Sequence, residues 1–108
     1  KIFSYKKQKI EEKKYTKWFD YDKIKNSPCV RTRRQGDYLT VNSEGGRKKL
    51  NRIFIDEKIP AEMRDRIPVV AAGSEILWIP GGRMNEKYKI TSTTGRVLEL
   101  HYQGGALA

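Results

Sequence analysis

Two short apolar runs, separated by a turn, constrain the fold of this chain more than any other feature. Val69–Ala72 contains no polar side chain, and Ile76–Ile79 follows after the three residues Gly73, Ser74 and Glu75. A continuous apolar run is typical of a strand that is covered on both faces, whereas a half-exposed strand alternates apolar with polar residues. We therefore predict two core strands here, with the rest of the chain packed around them.

The other strand signals are shorter and lie on both sides of these runs. Aromatic and β-branched residues, or alternation with period 2, mark each of them. We predict these strands near residues 2–8, 15–20, 29–33, 38–41, 88–91 and 97–102. Gly36 and Asp37 have the chemistry of a hairpin turn between 29–33 and 38–41. A Thr-Thr-Gly turn at 93–95 predicts a second hairpin between 88–91 and 97–102, and residues 11–14 suggest a charged turn.

Two helices are predicted in the middle of the chain. Leu50, Ile53 and Phe54 recur at i, i+3 and i+4, which indicates a helix over 47–58. Pro60 fits the first turn of a second helix over 61–66. Strands at short spacing around two short helices predict a mainly β (α+β) fold, a small and mainly antiparallel β-sandwich.

The length of 108 residues fits a single domain. We expect it to be a fragment that spans 1–103 and begins at Lys1 without a methionine, with 104–108 as a flexible tail or tag remnant. The single cysteine, Cys29, cannot form an internal disulfide, which favours a reducing, cytoplasmic compartment. No apolar run approaches the roughly 20 residues of a membrane helix, so we expect no membrane association.

The charge of the chain is large and uneven. Lys and Arg number 23 against 13 Asp and Glu, a net charge of +10, and residues 1–66 hold 19 of the 23 basic side chains. Such an excess attracts polyanions such as RNA, DNA or anionic lipid. The binding surface is therefore predicted in the first two thirds of the chain.

Two basic clusters are the strongest residue-level signal. We predict that they converge into one cationic surface that contacts nucleic acid, because arginine in particular binds phosphate with two hydrogen bonds at once. The alternative is a solvated face with local ion pairs, such as Arg52 with Asp56 at i, i+4. The clusters comprise Arg31, Arg33 and Arg34 on the predicted third strand, and Lys48, Lys49 and Arg52 on one face of the predicted helix.

Catalytic and metal chemistry is poorly represented. One cysteine and one histidine, Cys29 and His101, cannot supply a zinc core, and they could act as a nucleophile and base only if the fold brought them together. The Gly45-Gly46 segment lacks the spacing of a phosphate-binding P-loop. It could still offer backbone N–H groups to an RNA phosphate if a helix began directly after it. We therefore predict no catalytic residue, no metal site and no cofactor in this domain.

The aromatic residues have two alternative roles. They could stack on unpaired bases, but a domain with few apolar residues needs them in its core. We assign Trp18, Phe19, Phe54 and Trp78 to the core and leave Tyr15 and Tyr38 open.

Three motifs in order resemble the C-terminal domain of the tRNA(Ile)-lysidine synthetase family. Residues 31–37 resemble its R-x-R-x-x-G-D opening, 46–68 its G-x-K-K-L…F-x-D-x-K-I-P…R…P block, and 76–83 its I-x-W-[IV]-x-G-x-R segment. The aromatic lead-in at 15–20 is similar too, so the resemblance covers about residues 15–102.

The resemblance implies more than the residues alone do. Enzymes of this family use ATP and lysine to convert the wobble cytidine of an isoleucine tRNA into lysidine, in an N-terminal catalytic domain with an S-G-G-x-D-S loop that this chain lacks. The C-terminal domain is expected to be a β-sandwich of unusual topology, similar to a domain of the phenylalanyl-tRNA synthetase β chain. It is expected to bind tRNA on the acceptor-stem side without catalysing a reaction. The residues carried over by their match to the motifs are Arg31, Arg33, Lys48, Lys49, Lys58, Arg64 and Arg83.

Three alternatives stay open at this point. A general RNA- or DNA-binding module would have the same charge but no preference for tRNA. An interdomain or protein docking module would bind an acidic protein surface instead. A free-standing enzyme is the least favoured, because the sequence offers few catalytic groups.

Overall fold

Two β-sheets and two short helices make up the fold in the computed structural model, which describes residues 1–9 and 13–103. The predicted mainly β fold with two helices is confirmed. The predicted tail at 104–108 and residues 11 and 12 of the predicted charged turn lie outside the described residues. In chain order the elements are β1 (Ile2–Ser4), β2 (Thr16–Asp20), β3 (Cys29–Arg31), β4 (Tyr38–Thr40), β5 (Arg47–Lys49), α1 (Leu50–Asp56), α2 (Ala61–Arg64), β6 (Val69–Ala72), β7 (Glu75–Trp78) and β8 (Arg96–His101).

The two apolar runs form the antiparallel pair β6–β7 at the centre of a five-stranded sheet, as predicted. A β-bulge shifts the register, because Val70 pairs with Trp78 whereas Ala71 pairs with Ile76, which leaves Leu77 as the extra residue. The bulge lets Leu77 and its neighbour Trp78 both pack on the same side of the sheet.

The pairing of the strands differs from the prediction in two places. The order of the large sheet is β3-β6-β7-β4-β5, so β3 and β4 are not neighbours and the hairpin predicted at Gly36 and Asp37 is wrong. The order of the small sheet is β1-β8-β2, so β8 pairs with the two N-terminal strands and not with 88–91. Residues 86–88 form a 3-10 turn. All pairs are antiparallel except β4 with β7.

The five-stranded sheet is covered on both faces, which explains why its central strands are apolar throughout. Val69 and Ala71 belong to a cluster with α1 on one face, whereas Val70 and Ala72 pack towards the small sheet on the other. The small sheet contributes Phe19 and other side chains from β2 and β8. The layers are therefore helix, large sheet and small sheet.

Helix α1 begins at Leu50, three residues later than predicted. Residues 47–49 form β5 and pair with β4, so that Lys48 lies opposite Leu39 and Lys49 lies opposite Tyr38. Because side chains alternate along a strand, Lys48 and Lys49 project from opposite faces of the sheet. Neither helix in the described part of the chain has the length and apolar character needed to span a membrane.

Most aromatic side chains predicted in the core are buried there. Phe19, Phe54 and Trp78 are at most 1% exposed. Trp18 is only partly buried, and its indole N–H donates a 2.7 Å hydrogen bond to Glu99 while its ring packs edge-on against Phe3. The core prediction is thus confirmed for three residues and wrong for Trp18.

Asn85 is a fully buried polar residue that ties the segment after β7 to the sheet. Its side-chain N–H donates to the Ile76 carbonyl at 2.8 Å, and its side-chain oxygen accepts from the Lys87 N–H at 2.9 Å. We expect Asn85→Ala to lower the free energy of unfolding by about 2 kcal/mol, because both backbone groups lose their partner. Urea denaturation checks this value, and the exposed Asn26→Ala should change it by less than about 0.5 kcal/mol.

Candidate nucleic-acid interface

Two basic side chains pair with one carboxylate at the end of α1, and the charge of a third acts on it. Lys48 forms an ion pair with Asp56, and the Arg52 Nε lies 3.2 Å from the same carboxylate. The hydrogen bond from Lys48, the charge of Arg52 and the charge of Arg83 hold the pKa of Asp56 below its ordinary value. Asp56 therefore pairs with two cations, Lys48 and Arg52, and the charge of Arg83 acts on the same carboxylate.

The local fold determines where these three cations lie. Lys48 lies on the helix side of β5, because its partner Leu39 belongs to the cluster under α1. Arg52 precedes Asp56 by one helical turn, so the i, i+4 ion pair predicted as the alternative is present. Arg83 follows the turn after β7, which is closed by a 2.7 Å hydrogen bond from the Gly82 N–H to the Ile79 carbonyl.

Arg33 extends the same surface across both helices. It lies beyond the end of β3, where its Nε donates to Asp65 at 2.7 Å and another guanidinium nitrogen donates to Asn51 at 2.8 Å. Asn51 is on α1 and Asp65 directly follows α2. We call Arg33, Lys48, Arg52 and Arg83 the cationic face.

Arg31 has a different place from the one predicted. Its guanidinium binds Asp37 through two hydrogen bonds of 2.8 and 2.9 Å and also donates to the Gly73 carbonyl at 2.8 Å. The side chains of Arg31 and Asp37 are only 10% and 2% exposed. The hydrogen bond with Asp37 is the main reason that the pKa of Arg31 is raised. The charge of Arg31 is thus compensated by a buried carboxylate, and the prediction that it projects from an exposed cationic strand is wrong.

Asp37 organises the segment that was predicted to be a hairpin turn. Besides Arg31, its carboxylate accepts a 2.7 Å hydrogen bond from the backbone N–H of Arg34. The Arg34 side chain is exposed and lies in the loop after β3, not on the predicted strand. Position Asp37 therefore serves as a buried anchor for the connection between β3 and β4.

The remaining predicted residues are dispersed. Lys49 is exposed on the sheet face opposite Lys48, so the prediction of a single helix face for these two lysines is wrong. Arg64 donates from Nε to the Ile59 carbonyl at 2.9 Å, beyond the end of α1. Lys58 is exposed and adopts a left-handed φ of 58°.

Two features of the surface have no counterpart among the residues predicted from the sequence. Arg47 places its guanidinium 4.8 Å from the centre of the Tyr38 ring, on the same sheet face as Lys49. Asn51 anchors Arg33 and had no recognisable signal, because an asparagine on a helix is usually just solvated. The Gly45-Gly46 segment leads into β5, not into a helix, so the weaker phosphate-binding prediction made for it fails.

The structure brings Cys29 and His101 to the walls of one small cavity of about 130 Å³. The imidazole Nδ1 of His101 shares a 2.5 Å hydrogen bond with the Thr16 hydroxyl. Within the described residues, Cys29 makes no hydrogen bond with His101. The Cys29 side chain lies beside the Arg31 guanidinium instead. In the same part of the chain, no three His, Cys, Asp or Glu side chains group to hold a metal ion.

Comparison with known proteins gives a consistent family. A family model described as the TilS substrate C-terminal domain matches residues 29–100. The tRNA(Ile)-lysidine synthase of Caldanaerobacter subterraneus is 51% identical over 88 residues, which cover 82% of this chain and 19% of that protein. The tRNA(Ile)-lysidine synthase of Clostridium tetani is 41% identical over 90 residues, 83% of this chain and 19% of that protein.

A solved structure agrees with the sequence matches. The crystal structure of a TilS C-terminal domain superposes with a TM-score of 0.71 at 33% identity, covering 94% of this chain and 82% of that one. The chain spans about a fifth of the length of the curated relatives that it matches. The similarity to the phenylalanyl-tRNA synthetase β chain stays a prediction.

Proposed function

Since this chain belongs to the TilS substrate C-terminal domain family, we propose that it is the non-catalytic, tRNA-binding domain of a tRNA(Ile)-lysidine synthase. It would bind the acceptor-stem side of tRNA while a separate N-terminal domain of the same cytoplasmic protein converts the wobble cytidine to lysidine with ATP and lysine. The names of the relatives and the positive surface described above support this proposal.

The observation that carries the proposal is the excess charge of the cationic face. Lys48 and Arg52 both pair with the single carboxylate of Asp56, on which the charge of Arg83 also acts. A protein surface built only for its own stability would match its charges, because unpaired cations repel one another. RNA phosphates would supply the missing negative charge.

The arrangement of the cationic face suits contacts with the phosphates of a duplex better than contacts with particular bases. Its cations come from a strand, a helix and two loops, so they could contact a phosphate backbone at several points. Phosphate contacts fix the position of a nucleic acid without reading its sequence. In A-form RNA the major groove is too narrow for side chains, so recognition would rest on the shape of the stem and its 2′-hydroxyls.

The contribution of this domain to the reaction would be orientation. Binding energy at the stem would hold the target base in the catalytic domain, which turns an encounter in solution into a positioned reaction. ATP and lysine would therefore bind elsewhere in the parent enzyme, and no cofactor is assigned to this domain.

Titration of the chain with the isoleucine tRNA at several salt concentrations tests the proposal. We expect log K to fall with log salt at a slope of about −3, because each of four phosphates neutralised by the cationic face contributes roughly 0.7–0.9. A slope near zero would contradict phosphate binding. Competition with duplex DNA and unrelated RNA hairpins distinguishes tRNA binding from a general nucleic-acid module, and failure to bind any RNA would favour a docking module.

A further inference from the structure

A basic groove of about 740 Å³ lies on the outer face of the small sheet, the face that points away from the large sheet. Phe19 and Leu98 pack towards the large sheet. Because side chains alternate along a strand, their neighbours Trp18 and Glu99 project to the other side, where both line the groove. The small sheet therefore separates the groove from the apolar core.

Two aromatic rings form the floor of the basic groove. Phe3 on β1 and Trp18 on β2 both line it, and their ring centres lie 4.9 Å apart with an angle of 75° between the ring planes. Since β8 lies between β1 and β2, the two side chains meet above β8. A 2.7 Å hydrogen bond from the Trp18 indole N–H to the Glu99 carboxylate holds the indole there. Both rings are only partly buried, so aromatic surface is open to the groove.

Lysine side chains surround this floor. Those that line the groove are Lys1, Lys6, Lys9 and Lys13. The side chains of Lys1, Lys6 and Lys9 are exposed, and in the described part of the chain no carboxylate lies within ion-pair distance of their ammonium groups. Of the described residues that line the groove, only Glu99 is acidic, and its carboxylate already accepts the Trp18 N–H. The groove therefore presents several ammonium groups that the fold itself does not neutralise.

The stretch that contains these lysines carries half of the net charge of the chain. Residues 1–17 hold seven lysines and two glutamates, a net charge of +5 out of +10. The two glutamates, Glu11 and Glu12, lie outside the described residues, and pairing with two of the lysines would still leave five. No residue of the cationic face belongs to this stretch. The surface proposed for a duplex therefore leaves half of the net positive charge without an assigned partner.

The basic groove and the cationic face lie on opposite sides of the layered fold. Lys48 and Arg52 are on the α1 side of the large sheet, whereas the groove lies beyond the small sheet. Packed sheets are about 10 Å apart, and α1 adds a further layer. A straight duplex bound at the cationic face would therefore not reach the groove, so the groove needs a different occupant.

We propose that the basic groove binds a single-stranded segment of RNA, with phosphates at Lys1, Lys6 and Lys9 and a base against Trp18. This inference rests on the RNA binding proposed above. Sites for single strands combine a positively charged groove along the backbone with aromatic side chains on which bases stack. Ammonium groups bind phosphates as point charges, and stacking accepts every base, so little sequence preference is expected.

The aromatic floor favours RNA over an acidic segment of protein. Carboxylates and phosphates would pair equally with the lysines, and salt would weaken both interactions. A wholly acidic segment would gain nothing from the open surface of Phe3 and Trp18. A nucleotide combines a flat ring with an attached phosphate, and the groove offers a partner for each of these two parts.

Two RNA ligands distinguish the basic groove from the cationic face. One is an oligouridine of about eight nucleotides, which forms no stem, and the other is a blunt hairpin. The combined substitutions Lys1→Ala, Lys6→Ala and Lys9→Ala should lower the affinity for the oligouridine roughly 100-fold at low salt, as expected for the loss of three charged contacts. The affinity for the hairpin should fall by less than about fivefold. Fluorescence anisotropy measures both.

Two further variants serve as controls. Alanine at Lys48, Arg52 and Arg83 should show the reverse pattern, with weaker binding of the hairpin and little change for the oligouridine. A third variant has the same net charge as the groove variant and should weaken binding of either ligand by less than about fivefold. It carries alanine at Lys23, Lys25 and Lys89.

Tryptophan fluorescence of the unsubstituted chain keeps the test independent of folding. Trp78 is fully buried, so a change on binding reports on Trp18. Stacking of a uracil on Trp18 should quench its emission. Trp18→Leu should lower the affinity for the oligouridine about tenfold, whereas Trp18→Phe, which keeps an aromatic ring, should retain most of it.

Each contrary outcome identifies what has failed. If the groove variant binds the oligouridine as tightly as the charge control does, the groove is not its site and the inference is overturned, although binding of the hairpin leaves the duplex proposal standing. If neither RNA binds the unsubstituted chain, both proposals fail. If polyglutamate binds as tightly as the oligouridine and the tryptophan emission does not change with either, the groove is a site for acidic protein and the inference is overturned.

Discussion

Arg31→Ala should lower the free energy of unfolding by about 3 kcal/mol, which corresponds to a fall of about 12–20 °C in the melting temperature of a domain of this size. The reason is that Arg31 forms an ion pair with a buried carboxylate. Asp37 is 2% exposed, and without Arg31 its carboxylate would be left charged in a poorly solvated place. The carbonyl of Gly73 would lose its donor as well. Thermal unfolding followed by circular dichroism measures the effect.

A double-mutant cycle separates the pair from its surroundings. We expect Asp37→Ala to be at least as destabilising as Arg31→Ala, because the backbone N–H of Arg34 also loses its acceptor. The double variant should be less destabilised than the sum of the two, since neither charge is then left alone. Additive effects would show that the ion pair does not stabilise the fold. Arg34→Ala, at an exposed side chain, is the matched control and should be near neutral.

This stability effect changes how a binding experiment must be designed. From the sequence, Arg31 was assigned to an exposed binding surface, where its substitution by alanine would report on RNA contacts alone. The structure indicates that loss of Arg31 would damage the fold, so weaker binding by such a variant would say little about RNA contacts.

The triple substitution Lys48→Ala, Arg52→Ala and Arg83→Ala should weaken tRNA binding by roughly 100-fold at low salt. This estimate takes about 1 kcal/mol for each charged contact and adds the three. The slope of log K against log salt should become shallower by roughly 2–3. The fold should be retained, because the ion pairs with Asp56 are partly exposed and such pairs contribute little to stability. Filter binding or fluorescence anisotropy measures the affinity.

A control with the same change in net charge is available on other surfaces. Lys23, Lys25 and Lys89 lie after β2 and after the 3-10 turn at 86–88, outside the cationic face. Their triple alanine variant should lower the affinity by less than about fivefold, through the general field of the protein only. An equal loss in both triple variants would mean that net charge, and not the cationic face, determines binding.

The core was predictable from the sequence because its signal is local. A strand covered on both faces has to be apolar throughout, and this property marked Val69–Ala72 and the following run directly. The helix α1 was recognised by the spacing of Leu50, Ile53 and Phe54, all of which are buried. Its start was misplaced because the Arg-Lys-Lys segment before it suits a helix equally well. Pairing with β4 decided its conformation, and that pairing is tertiary.

The strand partners could not be predicted because their signals are far apart in the chain. Ile2 pairs with Leu98, and Thr16 pairs with His101. Gly36 and Asp37 looked like a turn that joins neighbouring strands, and nothing local shows that Asp37 is instead bound by a buried arginine. Alternation along 29–33 likewise gave no indication of which face was covered, and Val30 is 60% exposed.

Only those parts of the candidate site that depend on local spacing could be predicted from the sequence. Arg52 and Asp56 are four residues apart on a helix, so their ion pair followed from spacing. Lys48 was also among the predicted residues, but it was assigned to a helix face, whereas it lies on strand β5. The effect of the Arg83 charge on Asp56 depends on how the turn after β7 lies relative to α1, and local sequence patterns carry no signal for it.

The position of β8 between β1 and β2 has a consequence for the order in which the chain can fold. Both N-terminal strands are at the edges of the small sheet and take their backbone hydrogen bonds from β8. On the ribosome they leave the exit tunnel before β8, whose paired residues follow about 77–96 positions later in the chain. The large sheet and α1 do not need β8 in order to form, because β3 to β7 are contiguous in the sequence. The small sheet can therefore form only after residue 101 has been synthesised. Until then β2 has no paired neighbour, and Phe19 is not yet packed in the core.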